Sequence, residues 1–237
     1  MKAFVIHAEK LKERAEHIDH MLSEEGIEYE FVNEGNDDEK IQGYLDKYMK
    51  DGRELLHRKV PRSLCTISHF LAYEQILAGN MDGALVLEDD IVLHKHFLPR
   101  YKESISEHSK KYTERPVLIS YEDSPLQFVP RSRRVKGQML YPADHGRMSG
   151  AYFINRRAIE AVFDQLQKDR CDLAIDHYHG ELIKRGVIEC LWCQPALATQ
   201  GSFTGLFKSA LSSKKDRMES VKWWFKKSYK QFLYWFR

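Results

Sequence analysis

Apolar runs with strand-like composition alternate along this chain with segments whose apolar residues recur at helical spacing. The run "KAFVIH" is followed by Leu11, Ala15, Ile18 and Leu22, and Gly26 ends that helical segment. The patterns predict strands at "EYEFVNE", "ALVLEDD", "PVLISYE" and "QMLY", and a helix at "SLCTISHFLAYEQILAGN". They predict a strand running into a helix at "GAYFINRRAIEAVFDQL" and a last apolar strand at "VIECLWCQPALATQ". Strands and helices in alternation predict an α/β fold with a mostly parallel central sheet.

Length and charge narrow the class of protein. The 237 residues suffice for one full-sized α/β domain, and a net charge of +2 creates no large field toward nucleic acid. Four cysteines are too few for a secreted disulfide framework, and the apolar run in "MKAFVIHAEK" is too short for a signal peptide. We therefore expect a reduced, cytoplasmic protein without a membrane-spanning segment.

Three consecutive acids lie at the end of an apolar run in "ALVLEDDIVL". Ligands of open α/β sheets bind beyond the carboxyl ends of the strands, where these acids are expected. Glu88 and Asp90 point to the same side and are predicted to bind Mn²⁺ or Mg²⁺, which prefer oxygen ligands. An exposed, solvated turn is the alternative. The apolar "IVL" that follows favours metal binding, because an unpaired charge near a core is costly.

Five segments, read in order, resemble glycosyltransferase family 25, the bacterial lipooligosaccharide glycosyltransferases. They are "VPRSLCTISHFLAYEQI", "ALVLEDDIVL", "SGAYFINRRAIEAVF", "AIDHY" and "QPALATQGSF". The resemblance implies a GT-A-type nucleotide-sugar-binding fold, a UDP-galactose or UDP-glucose donor, a divalent metal and inversion at the anomeric carbon. It also implies a lipid-linked surface glycan as acceptor.

The resemblance also assigns residues. Asp176 matches the family's single Asp after the later sugar-facing block, and is our first choice for the base that deprotonates the acceptor. Family members often have Gly before the motif Cys, where this chain has Leu64, which predicts an altered contact near the nucleotide. The residues assigned to substrate binding are Asp89, Ser68, His69, Ser149, Gly150, Tyr152 and Gln200.

Other polar groups admit two interpretations. His177 and His179 flank Asp176 and either contact the metal or diphosphate or lie in a polar loop, which we favour. The basic run "RSRRVK" either binds phosphate or is solvated. Cys190 and Cys193 have metal-site spacing but lie in an apolar strand pattern, which favours buried thiols.

The last residues of the chain differ in composition from those before them. This difference predicts a catalytic domain over 1–204 and a separate tail over 205–237. The tail combines Lys and Arg with aromatic residues, and its spacing indicates an amphipathic cationic helix suited to an anionic membrane surface. Packing on the domain, a dimer contact and single-stranded nucleic acid are weaker alternatives. The predicted membrane contacts are Trp223, Trp224, Phe225, Lys226, Lys227 and Trp235.

Together these patterns predict a metal-dependent hexosyltransferase, peripheral on the inner face of the cytoplasmic membrane, without a nucleic-acid partner. A metal-dependent nucleotidyltransferase or phosphodiesterase would use the same carboxylates. A non-catalytic, membrane-associated glycan-binding protein is a third possibility, and the intact acidic cluster with Asp176 argues against it.

Overall fold

A computed structural model describes residues 2–51, 58–207 and 217–235, the last range with side chains over 222–234. The strands are β1 (Lys2–Ile6), β2 (Glu28–Val32), β3 (Gly83–Glu88), β4 (Ile91–Leu93), β5 (Val117–Ser120), β6 (Leu140–Ala143), β7 (Ala151–Asn155), β8 (Glu189–Cys193) and β9 (Ala198–Gln200). The helices are α1 (Lys12–Glu24), α2 (Asp38–Tyr48), α3 (Pro61–Ala78), α4 (Phe97–Lys111), α5 (Arg156–Lys168), α6 (Ile175–Lys184), α7 (Gly201–Thr204) and α8 (Arg217–Trp235).

Within these ranges, seven strands form the main sheet in the order β2-β1-β3-β7-β5-β8-β6. Strands β1, β2, β3, β5 and β8 run in one direction, whereas β7 and β6 run antiparallel to their neighbours. The predicted α/β class with a mostly parallel central sheet is therefore confirmed. The carboxyl ends of β1, β2, β3 and β5 meet at one edge, where the acids were expected.

The last apolar stretch, predicted as a single strand, forms two strands in different sheets. Strand β8 ends at Cys193, and the cis peptide bond between Gln194 and Pro195 lies before β9. Proline has no N–H to donate to a ladder, so β8 does not continue through it. Strand β9 instead pairs antiparallel with β4, the "IVL" after the three acids. Glu88 therefore ends β3 of the main sheet, and Asp89 and Asp90 form the turn that leads to this small one.

Helices cover both faces of the main sheet, as expected for strands that are buried on both sides. The alternation along β3 shows this directly. Val86 packs in the cluster that includes Phe70 of α3, whereas Leu85 and Leu87 pack in the opposite cluster with Ile18 of α1. Among the described helices, none is both long and apolar enough to cross a membrane.

Helix α8 packs against the rest of the domain with one face. Trp223 and Tyr234 join Leu126 and Phe128 in a small apolar cluster, and the indole N–H of Trp223 donates to the Ser124 carbonyl at 3.1 Å. Packing on the domain, ranked second from the sequence, therefore describes this face of the helix.

Two predicted membrane contacts on α8 are wrong. Trp223 and Lys227 are buried against the domain, because four residues separate them and helical spacing places them on one side. Trp224, Phe225 and Lys226 are exposed, and membrane contact stays a prediction for them. The side chain of Trp235 lies outside the described residues.

Candidate active site

A cavity of about 290 Å³ opens at the carboxyl ends of β1, β2 and β3. Polar residues follow each of these strands, and the first turns of α1 and α3 complete the wall. The lining residues include His7, Lys10, Arg14, Asn33, Glu34, Lys59, Leu64, Cys65, Ser68, Glu88 and Asp89. Ser68, predicted to bind substrate, lies here and donates to a Glu34 carboxylate oxygen at 2.9 Å. Leu64, at the position where members of the resembled family often have Gly, is also in the wall.

Asp89 is buried in this wall and its carboxylate is bound by the protein. Arg14 donates to one oxygen at 2.6 Å, and the Nδ1 atom of His7 lies 2.9 Å from the other. Substrate binding was predicted for Asp89, but both of its carboxylate oxygens already have partners within the protein. Asp89 therefore fixes the positions of Arg14 and His7 on the cavity wall. Arg14 is 75 residues from Asp89 in the sequence, and His7 is 82 residues from it.

Glu88 is held by three of the residues that the resemblance assigned. Ser149 donates to one carboxylate oxygen at 2.7 Å, and the side-chain amide of Gln200 donates to the other at 3.1 Å. The backbone N–H of Glu88 donates to the Gly150 carbonyl at 2.9 Å. A Cβ atom on Gly150 would lie 2.7 Å from the Gln200 amide nitrogen, so a larger residue there would displace Gln200. Ser149, Gly150 and Gln200 thus orient Glu88.

Asp90 follows in the turn and is only 6% exposed. Among the described residues, none forms a hydrogen bond with its Oδ1 atom, and Arg14 lies 3.9 Å from Oδ2. Burial, followed by the negative charge of Glu88, raises the pKa of Asp90 to about 6. Two adjacent carboxylates with an unpaired buried oxygen fit the hard, oxygen-only ligand set of Mg²⁺ or Mn²⁺.

His69 begins a hydrogen-bonded chain of buried side chains behind Glu88. Its Nδ1 atom lies 2.7 Å from the Tyr152 hydroxyl, which is 2.7 Å from the Tyr73 hydroxyl. Tyr73 in turn lies 2.8 Å from Nε2 of His179. The prediction that Tyr152 contacts substrate is wrong in this structure, because its hydroxyl is fully buried in the chain.

His179 was assigned to a polar loop, and that interpretation is wrong. It lies within α6 and is buried, and burial lowers its pKa to about 3, which keeps the ring neutral. His177 on the same helix is exposed. The hydrogen-bonded chain therefore connects α6 to the Glu88 side of the site.

Asp176, the candidate base, lies in the first turn of α6. One carboxylate oxygen accepts the backbone N–H of His177 at 2.9 Å, and the side chain is 31% exposed. Its negative charge, with those of Glu88 and Asp89, contributes to raising the pKa of Cys65. Asp176 is therefore close enough to Cys65 for their charges to interact, and its side chain is in reach of solvent.

Sequence reasoning missed two further acids, Glu122 and Asp123, at the end of β5. Glu122 accepts the Gly150 N–H at 2.7 Å, and burial raises its pKa well above the usual value. Asp123 accepts from Thr199 at 2.5 Å and pairs with Lys227 at 2.8 Å. The signal was present, because "VLISYED" repeats the pattern of "LVLEDD", acids directly after an apolar strand.

The Cys-x-x-Cys pair consists of buried thiols, as favoured from the sequence. Burial raises the pKa of both Cys190 and Cys193 to about 12, and their thiols donate to the carbonyls of His145 and Pro195. The arginines of the "RSRRVK" run are exposed. Neither feature adds to the cavity at β1 to β3.

Comparisons with known proteins place the chain in a family. Among curated proteins, none matches its sequence significantly. Three solved structures are similar at TM-scores of 0.44, 0.42 and 0.45. The first is A197 from STIV, with 14% identity over 81% of this chain and 80% of that one. The second is a glycosyltransferase involved in glycosylation of the major capsid of PBCV-1, with 11% identity over 84% and 92%.

The third is a putative glucose-1-phosphate thymidylyltransferase from Bacillus anthracis, with 13% identity over 92% of this chain and 98% of that one. A family model described as glycosyltransferase family 25, an LPS biosynthesis protein, matches residues 1–178. That match covers most of the chain, including β1 to β7, Glu88 and Asp176. The chain therefore belongs to glycosyltransferase family 25.

Proposed function

We propose that this glycosyltransferase moves galactose or glucose from a UDP-sugar to a lipooligosaccharide or another surface glycan, with inversion at the anomeric carbon. The observation that carries the proposal is the buried Asp90, two residues after Glu88 of the cavity wall: its Oδ1 atom has no hydrogen-bond partner among the described residues, and the charge of Glu88 contributes to raising its pKa. Family membership supports sugar transfer, and the cavity supports a nucleotide-sized donor.

The donor is proposed to lie in the cavity at the ends of β1 to β3. A negatively charged diphosphate requires positive charge, and Arg14 and Lys10 lie in the wall. Arg14 is held in place by Asp89, so it is positioned before the donor binds. Preorganised donors of this kind stabilise charge without moving at the moment of reaction.

Glu88 and Asp90 are proposed to hold the divalent cation, Mn²⁺ or Mg²⁺. Bound there, the cation would neutralise negative charge on the departing UDP. Ser149 and Gln200 hold the Glu88 carboxylate from behind, in the way that outer partners orient metal ligands. This arrangement keeps Glu88 in place while Asp90 contributes its unpaired oxygen.

Asp176 is proposed to accept the proton of the acceptor hydroxyl as that oxygen attacks the sugar. Its partly exposed position in the first turn of α6 supports access by an acceptor from solvent. The buried chain from His69 to His179 supports the placement of α6 relative to Glu88. Loss of the Asp176 carboxylate should therefore reduce turnover while donor binding persists.

Thermal unfolding with a panel of UDP-sugars, with and without Mn²⁺, tests the donor proposal. A ligand that binds only the folded state raises its melting temperature. We expect a Mn²⁺-dependent increase with UDP-galactose or UDP-glucose, and loss of that increase in Asp90→Asn. Cys190→Ser, a buried position away from the cavity, is the matched control. An increase in melting temperature that does not depend on Mn²⁺, or that persists in Asp90→Asn, would contradict the metal site.

We also propose that the outer face of α8 binds an anionic membrane surface on the cytoplasmic side, next to a lipid-linked acceptor. Phe225, Tyr229 and Phe232 are 75%, 62% and 62% exposed, and Lys222 and Lys226 accompany them. Exposed aromatic rings beside lysines suit the headgroup region of an anionic bilayer. The buried face is already engaged with the domain, which leaves this one for a partner.

Sedimentation with anionic liposomes tests this surface. Truncation after Gly205 would also remove Trp223 and Lys227 from the domain, so substitutions are the cleaner variants. We expect Phe225→Ser with Phe232→Ser to abolish cosedimentation, whereas Val135→Ser, an exposed apolar position elsewhere, leaves it intact. Equal sedimentation of all three proteins would reject the membrane contact.

A further inference from the structure

Cys65, His69 and Glu88 bring three different metal-ligating atoms together at the base of the cavity. Cys65 and His69 are four residues apart on α3, so they share one face of the helix, and Glu88 reaches them from the end of β3. The thiol, imidazole and carboxylate atoms all lie within 4.8 Å of one another. A thiolate and an imidazole are softer donors than the carboxylate pair of Glu88 and Asp90.

The free nitrogen of His69 points to this cluster. Its Nε2 atom is fully buried, has no hydrogen-bond partner among the described residues, and lies 3.7 Å from a Glu88 oxygen. The other ring nitrogen, Nδ1, is bonded to the Tyr152 hydroxyl. Histidines that bind metals commonly have this arrangement, with one nitrogen fixed by an outer partner and the other on the metal.

Charge and spacing also favour a cation. Glu34, Glu88, Asp89 and Asp176 all place negative charge around Cys65. Three atoms no more than 4.8 Å apart have a point within about 2.8 Å of each, compared with zinc bonds of about 2.0–2.3 Å. A contraction of roughly 0.5–0.8 Å along each direction would therefore form the bonds.

We propose that Cys65, His69 and Glu88 form a site for a thiophilic divalent cation such as Zn²⁺. Binding replaces the thiol proton, which passes to solvent, with a sulfur–metal bond. Glu88 is a ligand of this site and also one of the two proposed ligands, with Asp90, of the Mn²⁺ or Mg²⁺ site. A soft cation that binds Glu88 here therefore makes it unavailable to the cation at Asp90. Zn²⁺ at this site therefore inhibits any activity that requires Glu88 beside Asp90.

Titration of the full, reduced chain with Co²⁺ tests the site without reference to sugar transfer. Cobalt bound by a thiolate absorbs in the near ultraviolet, and Zn²⁺ should displace it. We expect the band to saturate at one Co²⁺ per chain and to disappear in Cys65→Ser. It should persist in Cys190→Ser, a matched buried cysteine, and in Asp90→Asn, which alters only the oxygen pair.

Two further measurements keep the test decisive if Cys65→Ser does not fold. Tyr152→Phe removes the hydroxyl behind His69 and should weaken Co²⁺ binding by roughly 10- to 100-fold. In the unaltered protein, Zn²⁺ should slow alkylation of Cys65, located by mass spectrometry. Absence of a thiolate band, or a band that survives in Cys65→Ser, would overturn the proposal whether or not the chain transfers sugar.

Discussion

The two acid pairs that follow β3 and β5 have the same sequence pattern and opposite environments. After β3, Asp90 is buried with an oxygen that no described residue bonds, and Glu88 lies at the cavity. After β5, Glu122 accepts from Ser124 and the Gly150 N–H, and Asp123 is bonded by Thr199 and Lys227. Among the acids that follow these two strands, the buried Oδ1 atom of Asp90, which has no hydrogen-bond partner among the described residues, therefore distinguishes the candidate cation site.

The two pairs also differ in what neutralises their charge. Lys227, contributed by α8, lies 2.8 Å from Asp123, so that carboxylate is compensated within the chain. Asp90 has a hydrogen bond from Ser202 and the guanidinium of Arg14 at 3.9 Å, which also binds Asp89. The comparison predicts that the β5 pair serves stability and the β3 pair serves binding of a cation and turnover.

The largest expected effect comes from breaking the ion pair of the β5 acids. Lys227→Met leaves Asp123 buried without its cation, which typically costs about 3–5 kcal/mol of unfolding free energy. Urea denaturation measures this loss. Asp123→Asn combined with Lys227→Met should recover most of it, because no charge is then left unpaired. A double variant as unstable as the single one would show that Lys227 acts through packing against Trp223 and Trp224 instead.

In the β3 pair, Asp90→Asn should lower turnover and leave the fold intact. The amide keeps the size of the side chain and removes the charge that the proposed cation requires. Loss of one electrostatic contact of this kind commonly lowers turnover by roughly 100- to 1,000-fold. Release of UDP measures turnover, with circular dichroism as the check on folding. Unchanged turnover would remove Asp90 from the cation site.

The pH dependence of stability is a smaller effect, and its direction follows from the pKa of Asp90. Burial and Glu88 raise the pKa of Asp90 to about 6, so the folded protein holds this proton more tightly than the unfolded chain. Stability from this group is full at low pH and falls as pH rises from about 4 to about 6, by about 3 kcal/mol at most. Asp90→Asn should lack this fall, as melting temperatures across that range would show.

Melting temperatures measured across the same pH range with Mn²⁺ test whether the cation binds Asp90. A cation that binds the ionised Asp90 should stabilise the folded protein more above pH 6 than below it, and Asp90→Asn should respond equally at both. An increase in melting temperature that does not depend on pH would place the cation away from Asp90.

The sequence was sufficient for features that depend on local pattern. The apolar run before Glu88 and the spacing along α3 predicted β3, the acids at its end and a helix that carries Ser68 and His69. The sequence could not predict long-range partners, because no pattern near Asp89 indicates that Arg14, 75 residues away, binds its carboxylate. The inward face of α8 was equally hidden, because an amphipathic cationic helix has the same composition on a membrane or on a domain.

The smallest expected effect is also the sharpest comparison, because it applies the same acid-to-amide change to the β5 pair. Burial raises the pKa of Glu122 well above its usual value, which favours the neutral carboxyl. In Glu122→Gln, the amide oxygen can still accept the Gly150 N–H and its NH₂ group can donate to Ser124. We expect turnover within about twofold of the unaltered enzyme and stability within about 1 kcal/mol, a typical change where hydrogen bonds are conserved. A loss of turnover like that of Asp90→Asn would mean that Glu122 is ionised and belongs to the cation's ligand field, and the two strand ends would then form one site.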